Sequence, residues 1–264
     1  MGFAPRPVQP NVHVLALIPE ESLQEYLQIY FKVPRFARMT PLARIFDFVA
    51  TGVPGAREML VIGKIAFEEK RRERDGTPAW DLIIVDAAAT GHFIPQIRAA
   101  RAMLDLVKGG MIRSQVEWID ATLSDAQRTL LTVCALPEEM PVVEALELSE
   151  RARKETRMKV GACFLNRTIP VLLTPKQRKL LDRISAPAHA GALNEQLGGD
   201  VAAVAQGARL AQRLHDNGVE HAKRLRAGIG APVLEVPLQV DARPGLATTR
   251  AVAAALMHAE GLAS

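Results

Sequence analysis

Aromatic side chains make up only 5% of this chain, cysteine occurs twice, and no apolar run is long. Each scarcity excludes something. A membrane-spanning helix needs about 18 or more consecutive apolar residues, and none are found. The opening Met1-Gly2-Phe3-Ala4-Pro5-Arg6-Pro7 lacks the apolar stretch of a signal peptide. Cys134 and Cys163 each sit inside an apolar strand-like run, with no C-x-x-C and no Cys/His cluster nearby. That argues against a zinc site or a disulfide framework and for buried reduced thiols in a cytoplasmic protein. Lys and Arg exceed Asp and Glu by 33 to 29, a net charge of +4, and the excess is spread along helical stretches (70–72, 151–159, 176–179). Without interleaved aromatics to stack on bases, these read as solvated helix faces and not as a nucleic-acid surface.

What is present suits one α/β domain with a substantial core: 264 residues, 48% hydrophobic, 23% charged, rich in alanine. Val12 to Ile18 alternates as a short strand, and Pro19-Glu20-Glu21-Ser22 opens a helix with acids in its first turn. The spacing predicts helices over 41–49, 55–72 and 94–107, then another after the Gly109-Gly110 break. Beyond these it predicts strand 129–135, helix 141–154, strand 159–165, a long helical region 193–226, strand 232–238 and helix 246–259. Strands alternating with helices imply a mostly parallel sheet covered on both faces. No internal repeat or linker divides residues 1–264, and the helices of roughly 19–75 and 93–125 form a helical subdomain.

The segment Asp81-Leu82-Ile83-Ile84-Val85-Asp86-Ala87-Ala88-Ala89-Thr90-Gly91-His92 carries the most chemistry. An apolar run ends in a carboxylate, and a small-residue loop then opens into a helix. In P-loop nucleotidases a strand-end aspartate of this kind orders the Mg²⁺ shell, and a glycine just beyond it meets the γ-phosphate. An ordinary strand-to-helix turn is the alternative, since Asp and Gly both favour turns. Open α/β sheets bind ligands at the carboxyl ends of their strands. Three further ends are distinctive: Leu136-Pro137-Glu138-Glu139, Phe164-Leu165-Asn166-Arg167 and Val236-Pro237-Leu238.

With these residues in view, the chain resembles the ArsA/tail-anchored-protein-targeting ATPase family. Members carry a D-T-A-P-T-G-H segment, an L-P-E-E-x-P-V-x-E-x-x-E segment and a V-N-[RQ] strand end. Here stand Asp86-Ala87-Ala88-Ala89-Thr90-Gly91-His92, then Leu136-Pro137-Glu138-Glu139-Met140-Pro141-Val142-Val143-Glu144-Ala145-Leu146-Glu147, then Leu165-Asn166-Arg167, in the same order. The resemblance covers most of residues 12 to 260. It implies an ATPase with ATP and Mg²⁺ as cofactors. Asp86 would orient water on Mg²⁺, Gly91 would present its N–H to the γ-phosphate, and Glu138 would support that switch. Asn166 would hydrogen-bond the adenine edge, with Arg167 beside it and Pro237 packing on the base. Read without the resemblance, Asn166 caps a turn, Pro237 ends an edge strand, and His92 is a helix N-terminal residue.

The departures matter as much. The family's fold begins with a strand and a G-K-G-G-x-G-K-[ST] loop that cradles phosphates, and no G-x-x-x-x-G-K-[ST] occurs here. Gly63-Lys64-Ile65 comes nearest, but Glu58 stands where the first glycine is required and no hydroxyl follows. Lys64 therefore reads as a solvated helix lysine. Ala89 replaces the family's proline, which would loosen the switch loop. The resemblance puts the P-loop and an early switch aspartate before residue 1. Two expectations follow. One is an ATPase whose first strand and P-loop lie outside this sequence; the other is a P-loop-less, non-catalytic subunit that pairs with an active paralogue. Either implies a homodimer or heterodimer. Metalloid-ion extrusion finds no support, because soft ions need convergent thiolates and the two cysteines fall on separate strands. A hydrophobic protein client is the other family role, but the stripe Leu104, Leu106, Val107, Met111 and Ile112 reads as core rather than as a client groove.

Overall fold

The computed structural model describes residues 4–31, 55–239 and 245–259. The helix expected over 41–49 lies outside them. The described chain divides into two compact units, one of residues 1–129 with 151–159, the other of residues 130–150 with 160–264.

The first unit opens with a small hairpin, β1 (Arg6–Gln9) against β2 (Val12–Val14). Pro10 presets the turn and Asn11 follows with φ 61°, a left-handed value that asparagine tolerates. The expected strand over 12–18 is thus shorter and antiparallel. Among the described residues four helices follow: α1 (Pro19–Phe31), α2 (Ala56–Lys70), α3 (Thr90–Leu106) and α4 (Gly110–Ser124). The apolar stripes of α2, α3 and α4 meet in one cluster of Ile62, Ala66, Ala100, Val116, Ile119 and Leu123, with Leu104 packed against it. The π-helical turn Ala152–Thr156 also belongs to this unit; Glu155 on it pairs with Arg98 of α3 at 2.9 Å.

The second unit holds a three-stranded parallel sheet flanked by helices, in the order β3 (Leu130–Ala135), β4 (Lys159–Thr168) and β5 (Val233–Pro237). The strands read as they do because apolar residues fill the buried positions: Leu131, Val133 and Ala135 on β3, Val160, Cys163 and Leu165 on β4. The crossovers are α5 (Glu139–Arg151), then α6 (Pro175–Ile184), α7 (Pro187–Leu197) and the long α8 (Val201–Gly228); α9 (Leu246–Ala259) follows β5. The long helical region expected over 193–226 is two helices, parted at Gly198, whose φ of 64° suits a residue without a Cβ. Asp200 then caps α8, accepting from the amides of Ala202 and Ala203. Gly228 closes the packing of α8 on α5, for a Cβ there would sit 2.7 Å from Leu146 Cδ2. Ser149 Oγ reinforces the contact by donating to the Ile229 carbonyl at 3.0 Å.

One expectation fails outright. Residues 81–86 form no strand: 82–89 carry no ladder pairing among the described residues. Leu82 is 76% exposed and Ile84 85%. A continuous apolar run predicts a buried strand only where neighbouring strands flank it. No described strand flanks this one, so the run takes no regular secondary structure and stays open to solvent.

Candidate functional site

In the second unit the parallel register brings the candidate residues together. β4 pairs with β5 so that Asn166 lies opposite Val236 and Thr168 opposite Pro237. Arg167 is the extra residue between those pairs, a bulge in which it takes a left-handed φ of 62°. Such bulges bend a strand and re-aim side chains near its end. The ends are fastened by Leu238 N–H donating to Thr168 O at 3.0 Å and Gln239 Nε2 donating to Pro237 O at 2.8 Å. Asn166, Arg167 and Pro237 are all exposed. Because the sheet is parallel, the end of β3 falls at the same edge. There Leu136 and Pro137 lead to exposed Glu138, whose carbonyl accepts from Val142 N–H in the first turn of α5. Pro237 is also the last residue of β5, a place where proline removes no needed ladder donor.

The residues of the first unit are arranged differently. Asp86 is exposed in the unpaired run. Gly91 lies in the first turn of α3 and not in a loop, because the helix begins at Thr90 instead of near Ile94. Its N–H is therefore among the first-turn amides without an intrahelical acceptor, which favour anions. His92 sits in that same first turn, donating its N–H to Ala89 O at 2.8 Å.

The lysine nearest to a phosphate-loop pattern is not solvated. Lys64 lies within α2 with its side chain 3% exposed, 2.8 Å from Glu25 and 2.7 Å from Glu68. Glu68 also accepts from Trp80 Nε1 at 2.9 Å and pairs with Arg71 at 3.2 Å. Burial works to raise the Glu68 pKa, but hydrogen bonds from Lys64 and Trp80 and the Lys64 and Arg71 charges outweigh it. Its carboxyl is held below the ordinary value. The local i,i+4 pairing of Lys64 with Glu68 was readable from spacing. Glu25, 39 positions earlier, was not.

The cysteines divide too. Cys163 is buried on β4 and its thiol is pushed up to about 11, chiefly by burial and then by Cys134. Cys134 on neighbouring β3 is exposed, contrary to the expectation that both are buried, and the two form no disulfide.

The strand ends fit an adenine better than the rest fits a phosphate chain. An asparagine carboxamide offers a donor and an acceptor side by side, matching an adenine edge. For Mg²⁺ the described residues hold no group of three or more acidic, His or Cys side chains that could bind it. Asp86 alone fits a water-mediated role that also needs phosphate oxygens. Lys64, the lysine nearest to a phosphate-loop pattern, is committed to two carboxylates.

No family model matches the chain. It is 32% identical over 167 residues to ATPase BagA of Mycobacterium tuberculosis, an alignment covering 63% of this chain and 48% of BagA. A Mycobacterium bovis relative, also named as an ATPase, matches with the same identity and coverage. The chain spans about half the length of the curated relatives it matches, and those relatives are named as ATPases.

Proposed function

We propose that the chain supplies the adenine side, and part of the switch, of an ArsA-like ATP-binding and ATP-hydrolysing site with Mg²⁺. The observation that supports this most is the β4–β5 register, which sets Asn166 and Pro237 at adjacent strand ends in a chain related to ATPases. In this reading Asn166 bonds the base edge, Pro237 packs beside it, and Arg167 in the bulge belongs to the same nucleotide-binding end. Glu138 supports the switch. Asp86 orients a metal-bound water, and Gly91 turns its N–H toward the terminal phosphate.

No G-x-x-x-x-G-K-[ST] occurs in residues 1–264, so they alone are expected to release phosphate from ATP at buffer background. Magnesium-dependent turnover that vanishes in Asp86→Ala would overturn that expectation. The adenine reading is tested separately by amide chemical shifts during titration with millimolar AMP. Shifts at the ends of β4 and β5 support it; an unperturbed spectrum rejects it.

A second reading is a non-catalytic subunit that dimerises with a second ATPase chain. It is favoured by the exposed Leu82 and Ile84, apolar surface of the kind an association would cover. The upstream in-frame DNA separates the two: a G-K-G-G-x-G-K-[ST] codon run there supports the first reading, and stop codons support the second.

A further inference from the structure

Apolar side chains reach the surface in both units: Leu106, Met111 and Ile112, expected as core, in the first, and Val171, Leu172 and Leu180 in the second. The second set borders a firmly started helix. β4 ends at Thr168, and Val171 and Leu172 follow it at 63% and 48% exposure. Thr174 then opens α6 with a reciprocal cap: its hydroxyl accepts from Gln177 N–H, and the Gln177 carboxamide oxygen accepts from Thr174 N–H at 2.8 Å. Cap and Pro175 together fix how the helix leaves the loop.

No residue of α6 is buried. It rests on α7 and α8, with Arg178, Leu181 and Ile184 partly covered and Arg178 3.8 Å from Asp216 of α8. Lys176, Lys179, Leu180 and Arg183, spaced i, i+3, i+4 and i+7, share the outer face, and all four are exposed. Asp182, the one acid on α6, is neutralised by Arg209 of α8 at 3.0 Å. Lys176, Lys179 and Arg183 have no ion pair among the described residues. The outer face thus presents three uncommitted cations around a leucine, with two more apolar side chains just before it.

Charge and side-chain type choose the occupant. Three uncommitted cations call for an anionic surface. Residues 165–184 contain no aromatic side chain to stack on a base, and exposed valine and leucine gain nothing against a phosphate backbone, which disfavours nucleic acid. Protein interfaces keep lysine out of their apolar centre, whereas here lysines and an arginine surround the leucine within one turn. An anionic bilayer accommodates both kinds. Apolar side chains enter the acyl boundary, while ammonium and guanidinium groups on flexible stems reach the lipid phosphates.

We propose that the Val171–Leu172 loop and the outer face of α6 dock on an anionic phospholipid bilayer. Val171, Leu172 and Leu180 enter the boundary between headgroups and acyl chains, and Lys176, Lys179 and Arg183 meet lipid phosphates. The surface is independent of the nucleotide reading and is tested without nucleotide. Residues 1–264 are floated with vesicles of mixed phosphatidylcholine and phosphatidylglycerol, and with vesicles of phosphatidylcholine alone. Binding to the mixed vesicles should be at least about tenfold tighter and should weaken as salt rises. One basic residue near an anionic surface is worth about fivefold, so Lys176→Gln, Lys179→Gln and Arg183→Gln together should cost about a hundredfold. Lys159→Gln, at the other end of β4, should cost no more than about twofold. Leu172→Trp places an indole in the loop, and its emission should shift to the blue on the mixed vesicles; this supplies the test if the triple variant does not fold. The proposal is overturned by equal binding to both vesicles or to neither, by full binding in the folded triple variant, or by loop-indole emission that stays unmoved on bound vesicles. Tighter binding of poly-glutamate than of vesicles, lost in the same triple variant, would overturn it in favour of an acidic polypeptide.

Discussion

Two apolar runs in this molecule carry nearly the same signature and meet opposite fates. Leu82-Ile83-Ile84-Val85 ends in Asp86, and Val160 to Leu165 ends in Asn166; each precedes a helix in the chain. The second run has β3 on one side and β5 on the other, and Leu165 is wholly buried. The first has no ladder partner among the described residues, and Ile84 is mostly exposed. Local composition favours a strand in both. Only neighbouring strands make one of them a strand, because ladder hydrogen bonds and burial are supplied from elsewhere in the sequence.

The same substitution in both runs gives the largest expected contrast. Leu165→Asp buries a carboxylate with no partner and should cost more than about 4 kcal/mol, enough to unfold the second unit. Ile84→Asp should change stability by no more than about 0.5 kcal/mol and improve solubility, since the site is open. Chemical denaturation of both variants checks this. A large loss at Ile84 would mean that the first run is covered in solution and would break the comparison.

What was legible follows the same division. β3, β4, β5 and α9 fall within a few residues of their expected bounds and α1 begins at the expected Pro19, because each combines an apolar pattern with a local stop or start signal. The short α6 was passed over although Thr174, Pro175 and Gln177 form a capping box at its start. Asn166 and Pro237 were readable as strand ends, but the bulge that leaves Arg167 left-handed depends on the register with β5 and was not. Lys64 was misread because local polarity implies solvent, whereas Glu25 and the packing of α1 on α2 bury it.

An intermediate effect is expected where the first unit does bury charge. Glu68→Gln removes the carboxylate shared by Lys64, Arg71 and Trp80 and should cost about 1–3 kcal/mol at neutral pH. The sign with pH follows from the depressed Glu68 pKa. Its contribution is complete above the ordinary value of 4.5 and is lost as pH falls through the lower folded-state value. The gap between native and Glu68→Gln stability should therefore narrow on acidification below about pH 4.5, and urea melts at pH 7 and pH 3 measure it. A gap that widens in acid would contradict the arrangement around Lys64.

The smallest effect concerns the two polar residues that end the compared runs. Asn166 is exposed at a strand end fixed by β5, so Asn166→Ala should leave stability within about 0.5 kcal/mol. Its proposed contact with adenine is a neutral hydrogen bond, worth about 0.5–1.5 kcal/mol, or a two- to tenfold change in affinity. Charge-assisted contacts to phosphates contribute about 1.5–3 kcal/mol each, and residues 1–264 hold no G-x-x-x-x-G-K-[ST] to make them. AMP, ADP and ATP should therefore bind with similar millimolar affinity, each several-fold weaker in Asn166→Ala. Asp86→Ala should leave AMP affinity as it was, because a base-side contact does not involve the switch carboxylate. Calorimetry distinguishes the outcomes. Tight binding with a strong preference for ATP over AMP would require a phosphate cradle and would sink this reading. An equal loss of AMP affinity in Asp86→Ala and Asn166→Ala would do the same, since the end of the exposed run would then be serving the base as well as the end of β4.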